Sequence, residues 1–218
     1  HHGLAAEMSR LSAVIGGGPA PEMPSEQELR SLDLADDIAV RHRASQRRSV
    51  EGRPRLTAPF TIDGLLDMDA CASLIGMAEA VAAERGWQSA RHKYYPTVDL
   101  PLHDLPAGPY AAVRELLDSS VLPEIVARYA TDELRIKEAF VVKYEAASSE
   151  AADVRHGDGA RQAGLDFHRD GTLLNCVVLL SQPGDFEGGG TVFAPPLDRT
   201  YKVGCGDCLC SCGQLLHG

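Results

Sequence analysis

The feature that most constrains this sequence is a His-Arg-Asp tripeptide, His168 to Asp170, close before an apolar and β-branched run, Leu173 to Leu180. Such runs are typical of buried strands, so we predict that the chain is also extended from Asp166 to Asp170. Because side chains in a strand alternate between its two faces, His168 and Asp170 then point to the same side. The sequence therefore predicts an imidazole and a carboxylate that can bind one metal ion together.

A third ligand is available near the end of the sequence. His217 follows a second strand-like segment, Asp207 to Leu216. Two histidines and one carboxylate on one side of a metal are the ligand set of non-haem Fe(II) oxygenases, which leaves coordination positions open. We therefore predict a metal site formed by His168, Asp170 and His217.

A second His-x-Asp tripeptide, His156 to Asp158, competes with this interpretation. It lies in the polar segment RHGDGARQAG, whose glycines and charges predict a loop. Because a mobile loop does not hold ligands in a fixed relation, we predict that this tripeptide does not bind the metal. The whole polar stretch between Tyr144 and His168 is compatible with a lid over a substrate and equally with a loop that has no function.

Several motifs in a fixed order resemble one protein family. They are Tyr144, then H-R-D-G-T-L-L-N, F-E-G-G-G-T-V-F and G-D-C-L-C-S-C-G-Q-L-L-H-G, preceded by Gly86-Trp87 and the run Arg91 to Leu102. Together they resemble the 2-oxoglutarate and Fe(II)-dependent oxygenases of the prolyl 4-hydroxylase type, over residues 55 to 218.

The resemblance implies a mainly β, α+β fold, the double-stranded β-helix or cupin-like jelly roll, with flanking N-terminal helices. It implies that His168, Asp170 and His217 bind Fe(II) and that Tyr144 binds the co-substrate 2-oxoglutarate. It also implies that O2 is consumed, and dependence on ascorbate is a further feature of the family. The implied activity is that of a dioxygenase that hydroxylates a C–H bond, for example in a peptidyl proline. The alternative is a non-catalytic jelly-roll metal-binding or scaffold module that retains the ligand residues, because a fold does not determine a function.

The sequence departs from the family pattern in two places. Where some relatives have another tyrosine, on the strand after His-x-Asp, this chain has the apolar run Cys176 to Leu180. The basic residue that binds the distal carboxylate of 2-oxoglutarate in the family lies one strand beyond the second histidine, whereas this sequence ends at Gly218. We therefore expect the last jelly-roll strands to be missing from this sequence, with Arg91 and Lys143 as the first alternatives for the basic residue.

Two regions are predicted along the chain. Residues 1 to 55 read as a low-complexity, charged tail that is disordered or partly helical, and residues 56 to 218 as the oxygenase domain. Glycines and prolines between Gly16 and Pro24 interrupt regular structure. We interpret the arginine-rich run from Arg41 to Arg55 as a solvated linker rather than as a surface for a partner.

Three helices are predicted in the second region. Asp67 or Asp69 can cap a helix that Gly86 ends, and Pro109 and Pro123 each open another. The loop that follows the first helix contains His92, His103, Asp99 and Asp104. We interpret these four residues as structural support near the mouth of the active site rather than as metal ligands, because nothing in a loop holds their geometry.

The composition limits the classes of partner that the sequence predicts. With 21 basic and 31 acidic residues the net charge is −10, which argues against a nucleic-acid-binding surface over the whole molecule. No apolar run approaches the roughly 18 residues of a membrane span. We expect a peptide or small-molecule substrate. The oligomeric state and the localisation stay open, and because the sequence begins with His1 rather than Met we interpret it as a fragment.

The cysteines form a second potential metal motif. The pattern C-x2-C-x-C-x-C is formed by Cys205, Cys208, Cys210 and Cys212. Cys205 lies just before the predicted strand that begins at Asp207. Neighbouring cysteines on one face of a strand do not readily surround a tetrahedral ion, and small buried thiols suit a protein interior. We therefore predict that these cysteines are packing residues rather than a zinc site.

Overall fold

The computed structural model describes residues 6–15, 25, 54–88, 92, 95–131, 134–145 and 163–218. The architecture of this part of the chain is mixed α/β, with three α-helices and nine strands. The helices are α1 (Met68–Arg85), α2 (Ala107–Leu116) and α3 (Leu122–Tyr129). The strands are β1 (Ala6–Ile15), β2 (Phe60–Ile62), β3 (Asp99–Pro101), β4 (Leu134–Ile136), β5 (Ala139–Lys143), β6 (Leu174–Leu179), β7 (Thr191–Phe193), β8 (Arg199–Tyr201) and β9 (Cys208–Cys212).

Helix α1 has the termini that its sequence predicts. The side chain of Asp67 accepts a hydrogen bond of 2.7 Å from the backbone N–H of Ala70, which satisfies a donor at the start of the helix. Gly86 ends the helix with a φ of 80°, a backbone conformation that glycine adopts at little cost. One face of α1 is buried in the main hydrophobic cluster, and it carries Cys71, Leu74, Ala78 and Ala82.

Helices α2 and α3 are joined by a single π-helical turn, Leu117–Val121. Helix α2 begins at Ala107, two residues before the predicted Pro109, and Pro123 lies in the first turn of α3 as predicted. The buried side chains of this helical layer pack against the main sheet in one hydrophobic cluster. None of the helices that the structure describes is long and apolar enough to span a membrane.

The larger sheet has seven strands in the order β2-β9-β6-β1-β5-β3, with β4 also paired to β1. The pairs β2–β9, β6–β9 and β3–β5 are antiparallel, whereas β1 is parallel to β4, β5 and β6. The chain from Leu134 to Lys143 contains two strands, β4 and β5, separated by two residues. The jelly-roll fold itself remains a prediction.

Strand β1 lies in the region that the sequence assigned to the tail. Its ten residues, AEMSRLSAVI, are mostly helix formers with β-branched residues only at the end, so local propensity does not indicate a strand. Pairing with three other strands can override such a weak propensity. The arginine-rich run from Arg41 to Arg53 lies outside the described residues, and the boundary at residue 56 remains a prediction.

The smaller sheet consists of β7 and β8, which are antiparallel. Its edge next to the end of the chain is extended by Val192 and Gly218, which exchange two backbone hydrogen bonds of 3.0 Å. Ala194 adds a third, from its N–H to the carbonyl of Leu216 at 2.9 Å. The last residues of the chain are thereby held between β7 and the segment that contains His168.

The cysteines of β9 are packed in the interior. Cys208, Cys210 and Cys212 have no exposed surface, and Cys210 lies opposite Cys176 of β6. Burial raises the pKa of the Cys212 thiol to about 11, and a hydrogen bond with Cys208 together with burial raises the pKa of Cys176 well above its ordinary value. Protonated, buried thiols behave as small apolar groups, which supports the packing interpretation.

We predict that Cys210→Ser lowers the free energy of unfolding by about 1–3 kcal/mol, because the new hydroxyl is buried among apolar side chains. Cys205→Ser is the matched control. Its thiol is partly exposed and already donates to the carbonyl of Leu180 at 3.1 Å, a bond that serine can retain. Urea denaturation of both variants measures the difference. Equal losses, or a tightly bound zinc that leaves when the thiols are alkylated, would contradict the packing role.

Candidate metal centre

The site is assembled by a backbone pair between two residues remote in sequence. The N–H of His168 donates to the carbonyl of His217 at 2.7 Å, and the N–H of His217 donates to the carbonyl of His168 at 3.0 Å. Residues paired in this way lie directly opposite each other, with side chains on the same face. The two imidazole ring centroids are accordingly 4.5 Å apart, and the ring planes are inclined at 48°.

Asp170 completes the group from two residues further along. Its Oδ1 lies 3.5 Å from Nε2 of His168, and its Oδ2 lies 3.5 Å from Nε2 of His217. One ligand atom from each of the three residues lies within 4.8 Å of the others. The predicted strand from Asp166 to Asp170 is not regular, since only His168 forms a β-bridge. The structure nevertheless brings together the three residues that the sequence predicted.

Each histidine is oriented by a hydrogen bond between its Nδ1 and a backbone carbonyl oxygen. Nδ1 of His168 lies 2.8 Å from the carbonyl oxygen of Asp166, and Nδ1 of His217 lies 2.9 Å from that of Leu215. A carbonyl oxygen only accepts hydrogen bonds, so each Nδ1 carries the proton. In a neutral imidazole the lone pair is then on Nε2, the nitrogen that faces Asp170 and that can bind a metal.

The carboxylate of Asp170 has its own support. The side-chain amide of Asn175 donates to Oδ2 of Asp170, and the hydroxyl of Ser211 donates to Oδ1 of Asn175. Partners of this kind orient a metal-binding carboxylate. His168, Asp170 and His217 are only 4%, 3% and 8% exposed. A buried carboxylate next to two imidazoles is the kind of group that can bind a cation.

The separations between the three side chains are longer than ordinary hydrogen bonds. The distances of 3.5 Å between Nε2 and carboxylate oxygens exceed the usual N–H···O range of about 2.7–3.2 Å. Two ligands bound to one ion at about 2.0–2.2 Å lie roughly 3–4 Å apart. The cluster His168, Asp170 and His217 can therefore hold a metal ion, and its ligand set is compatible with iron.

Gly213 and Gln214, which follow β9, contact Asp170 and its backbone. A Cβ atom at Gly213 would overlap the carbonyl oxygen of Thr172 and lie 2.8 Å from Cβ of Asp170. The N–H of Asp170 donates to the carbonyl of Gly213 at 2.8 Å, and Nε2 of Gln214 donates to the carbonyl of Asp170 at 3.1 Å. Sequence reasoning missed Gly213 and Gln214, because their role depends on packing between remote segments, and it missed Asn175, because its contact depends on the turn between Asp170 and β6.

The other predicted site residues have different outcomes. Tyr144 lies directly after β5 and is partly buried, and its role in binding 2-oxoglutarate stays a prediction. Nζ of Lys143 forms ion pairs with Glu79 at 2.8 Å and with Glu145 at 3.7 Å. These pairs already neutralise Lys143 and make it a poor anchor for a further carboxylate. The competing tripeptide at His156, like Arg91, lies outside the described residues.

Comparison with known proteins found no match to the chain among family models, curated proteins or solved structures.

We predict that Gly213→Ala weakens metal binding by about 10- to 100-fold, the usual effect of disturbing the support of a metal ligand. The added methyl group must displace Asp170 or the carbonyl of Thr172. Gly171→Ala is the control, since a Cβ at Gly171, also next to Asp170, would meet no atom within 4 Å. Calorimetric titration with Co(II) measures both affinities, with thermal unfolding as a check on folding. Equal affinities of the two variants would show that Gly213 does not position Asp170.

Proposed function

We propose that the protein is an Fe(II)- and 2-oxoglutarate-dependent dioxygenase that hydroxylates a C–H bond. The observation that carries the proposal is the buried cluster of His168, Asp170 and His217, in which both imidazoles present Nε2 to one carboxylate. Two histidines and one carboxylate are the ligand set of non-haem Fe(II) oxygenases. The ordered motifs that resemble the prolyl 4-hydroxylase type of oxygenase include these three residues.

The donor atoms favour a metal such as Fe(II) over a soft ion. Imidazole nitrogen and carboxylate oxygen suit iron, and they also bind Zn(II), whereas sets of thiolates alone favour Cu(I) or iron–sulfur clusters. Among the described residues, the only group of His, Cys, Asp and Glu with the spacing of metal ligands contains no cysteine. Three protein ligands also leave coordination positions for a co-substrate and O2.

The residues of this chain would serve three tasks in such an enzyme. His168, Asp170 and His217 would hold the iron, and Asn175 would keep the carboxylate of Asp170 oriented. Iron and 2-oxoglutarate, when bound, supply the activation of O2 and the oxidative hydroxylation of a C–H bond, with succinate and CO2 as the other products. The low exposure of the three ligands would limit access of bulk water.

Tyr144 and the substrate complete the proposal. By the family resemblance, Tyr144 binds a carboxylate of 2-oxoglutarate from its place at the end of β5. We propose a peptide substrate, with a peptidyl proline as the first candidate and a small molecule as the second. The alternative function, a non-catalytic metal-binding or scaffold module, uses the same three ligands and differs only in turnover.

We predict that the wild-type protein, reconstituted with Fe(II) without oxygen and then exposed to O2, converts 2-oxoglutarate to succinate. His168→Ala, Asp170→Ala and His217→Ala should each lose stoichiometric iron and succinate formation, because each removes one of three ligands. His156→Ala is the matched control, since it changes the same kind of tripeptide at another position and should retain both. Iron content and succinate are measured on the same samples.

The outcomes separate the candidate functions. Loss of iron in His156→Ala with retention in His168→Ala would show that the other His-x-Asp tripeptide is the metal site. Stoichiometric iron that depends on His168, without succinate in the presence of proline-rich peptides or small hydroxylase substrates, would favour the scaffold module.

A further inference from the structure

We propose that residues 95 to 99, together with His92, form one wall of the metal centre, in which Tyr95 positions the ligand His168 and Asp99 anchors these residues to the sheet. The inference rests on the proposed metal-binding role of His168. It assigns to Tyr95 a task in the site that the sequence motifs do not indicate, and it specifies how Asp99 would give the structural support predicted for it from the sequence.

The first observation is a series of ring contacts through the site. The ring of Tyr95 lies 5.0 Å from that of His168, at an interplanar angle of 37°. On the other side of the pair, the ring of Phe193 lies 5.7 Å from that of His217. Each ligand imidazole therefore contacts the other imidazole and one aromatic ring. Such contacts restrict the rotation of an imidazole that is already held at Nδ1 by a carbonyl oxygen.

The two outer rings differ in their surroundings. Phe193 has no exposed surface, so the position of its ring is determined by the core. Tyr95 is partly exposed. Burial therefore restricts the ring of Tyr95 less than that of Phe193. Contacts of the neighbouring residues contribute to the position of Tyr95.

Those contacts converge on the carboxylate of Asp99. The hydroxyl of Thr97 donates to Oδ2 of Asp99, and Nε2 of His92 lies 3.4 Å from the same oxygen. Thr97 follows Tyr95, so its hydrogen bond to the carboxylate holds the chain on that side of the tyrosine. His92 precedes Tyr95, and its Nε2 approaches the same carboxylate at a distance longer than a hydrogen bond. The ring of His92 also packs against that of Phe140, at 5.0 Å between centroids.

Asp99 is itself part of the sheet. It lies in β3 without exposed surface, and it exchanges backbone hydrogen bonds of 2.8 and 2.9 Å with Gln88. The N–H of Lys143 in β5 donates to the carbonyl of Val98 at 2.8 Å. A buried carboxylate is kept at a cost unless its partners are in place. The hydrogen bond from Thr97 is one such partner, and it ties the chain next to Tyr95 to the sheet.

The test uses Co(II), whose absorption spectrum responds to the arrangement of its ligands. Tyr95→Ala should weaken Co(II) binding about tenfold, as for other residues that support a ligand, and should change the spectrum. Tyr95→Phe should restore both, because the proposal requires the ring and not the hydroxyl. Asp99→Asn should change the spectrum in the same direction as Tyr95→Ala. Thr97→Val, which leaves the carboxylate in place, is the second variant if Asp99→Asn does not fold.

Tyr110→Ala is the control, since Tyr110 is a partly buried tyrosine of α2 that packs on the main hydrophobic cluster. It should lower stability and leave the affinity and the spectrum of Co(II) unchanged. If the wild type binds Co(II) and Tyr95→Ala has the same Co(II) affinity and spectrum, the inference is wrong and the proposed metal site is unaffected. The same spectral change in Tyr110→Ala would also overturn it. Failure of the wild type to bind Co(II) would overturn the proposed metal site, and the inference with it.

Discussion

The structure of the site depends on the two backbone hydrogen bonds between His168 and His217. They join the segment before β6 to the last residues of the chain and set the two side chains on one face. In both cases the carbonyl that fixes the imidazole belongs to the residue two positions earlier, Asp166 or Leu215. The same local conformation is thus used twice, and it presents Nε2 of both rings to Asp170.

The charge of Asp170 determines which kind of ion the site can bind. A carboxylate that is 3% exposed, beside two imidazoles whose Nε2 atoms carry lone pairs, is a site that attracts a cation. Asn175 donates to this carboxylate and is itself held by Ser211, so the two residues orient Asp170. Because the three ligands come together only in the folded chain, metal binding adds to the free energy of folding. The metal and the fold are therefore expected to stabilise each other.

The parts of the site that follow from local periodicity could be predicted from the sequence. Alternation along an extended segment placed His168 and Asp170 on one side, and the motif at the end of β9 pointed to His217. Gly213 and Tyr95 could not be found in this way, because each acts through a contact with a segment remote in sequence. Asn175 is close to Asp170 in sequence, but its contact depends on the turn between Asp170 and β6, which periodicity does not predict. Helix α1 and its capping residues were local and were predicted, whereas β1 depends on pairing with three strands and was not.

The most direct test of the central claim is the anomalous difference density at the iron absorption edge of crystals loaded with Fe(II) in the absence of oxygen. The account predicts one strong peak within bonding distance of Nε2 of His168, Nε2 of His217 and a carboxylate oxygen of Asp170. A peak beside the cysteines of β9, or no peak in a folded protein with the three residues arranged as described, would contradict it.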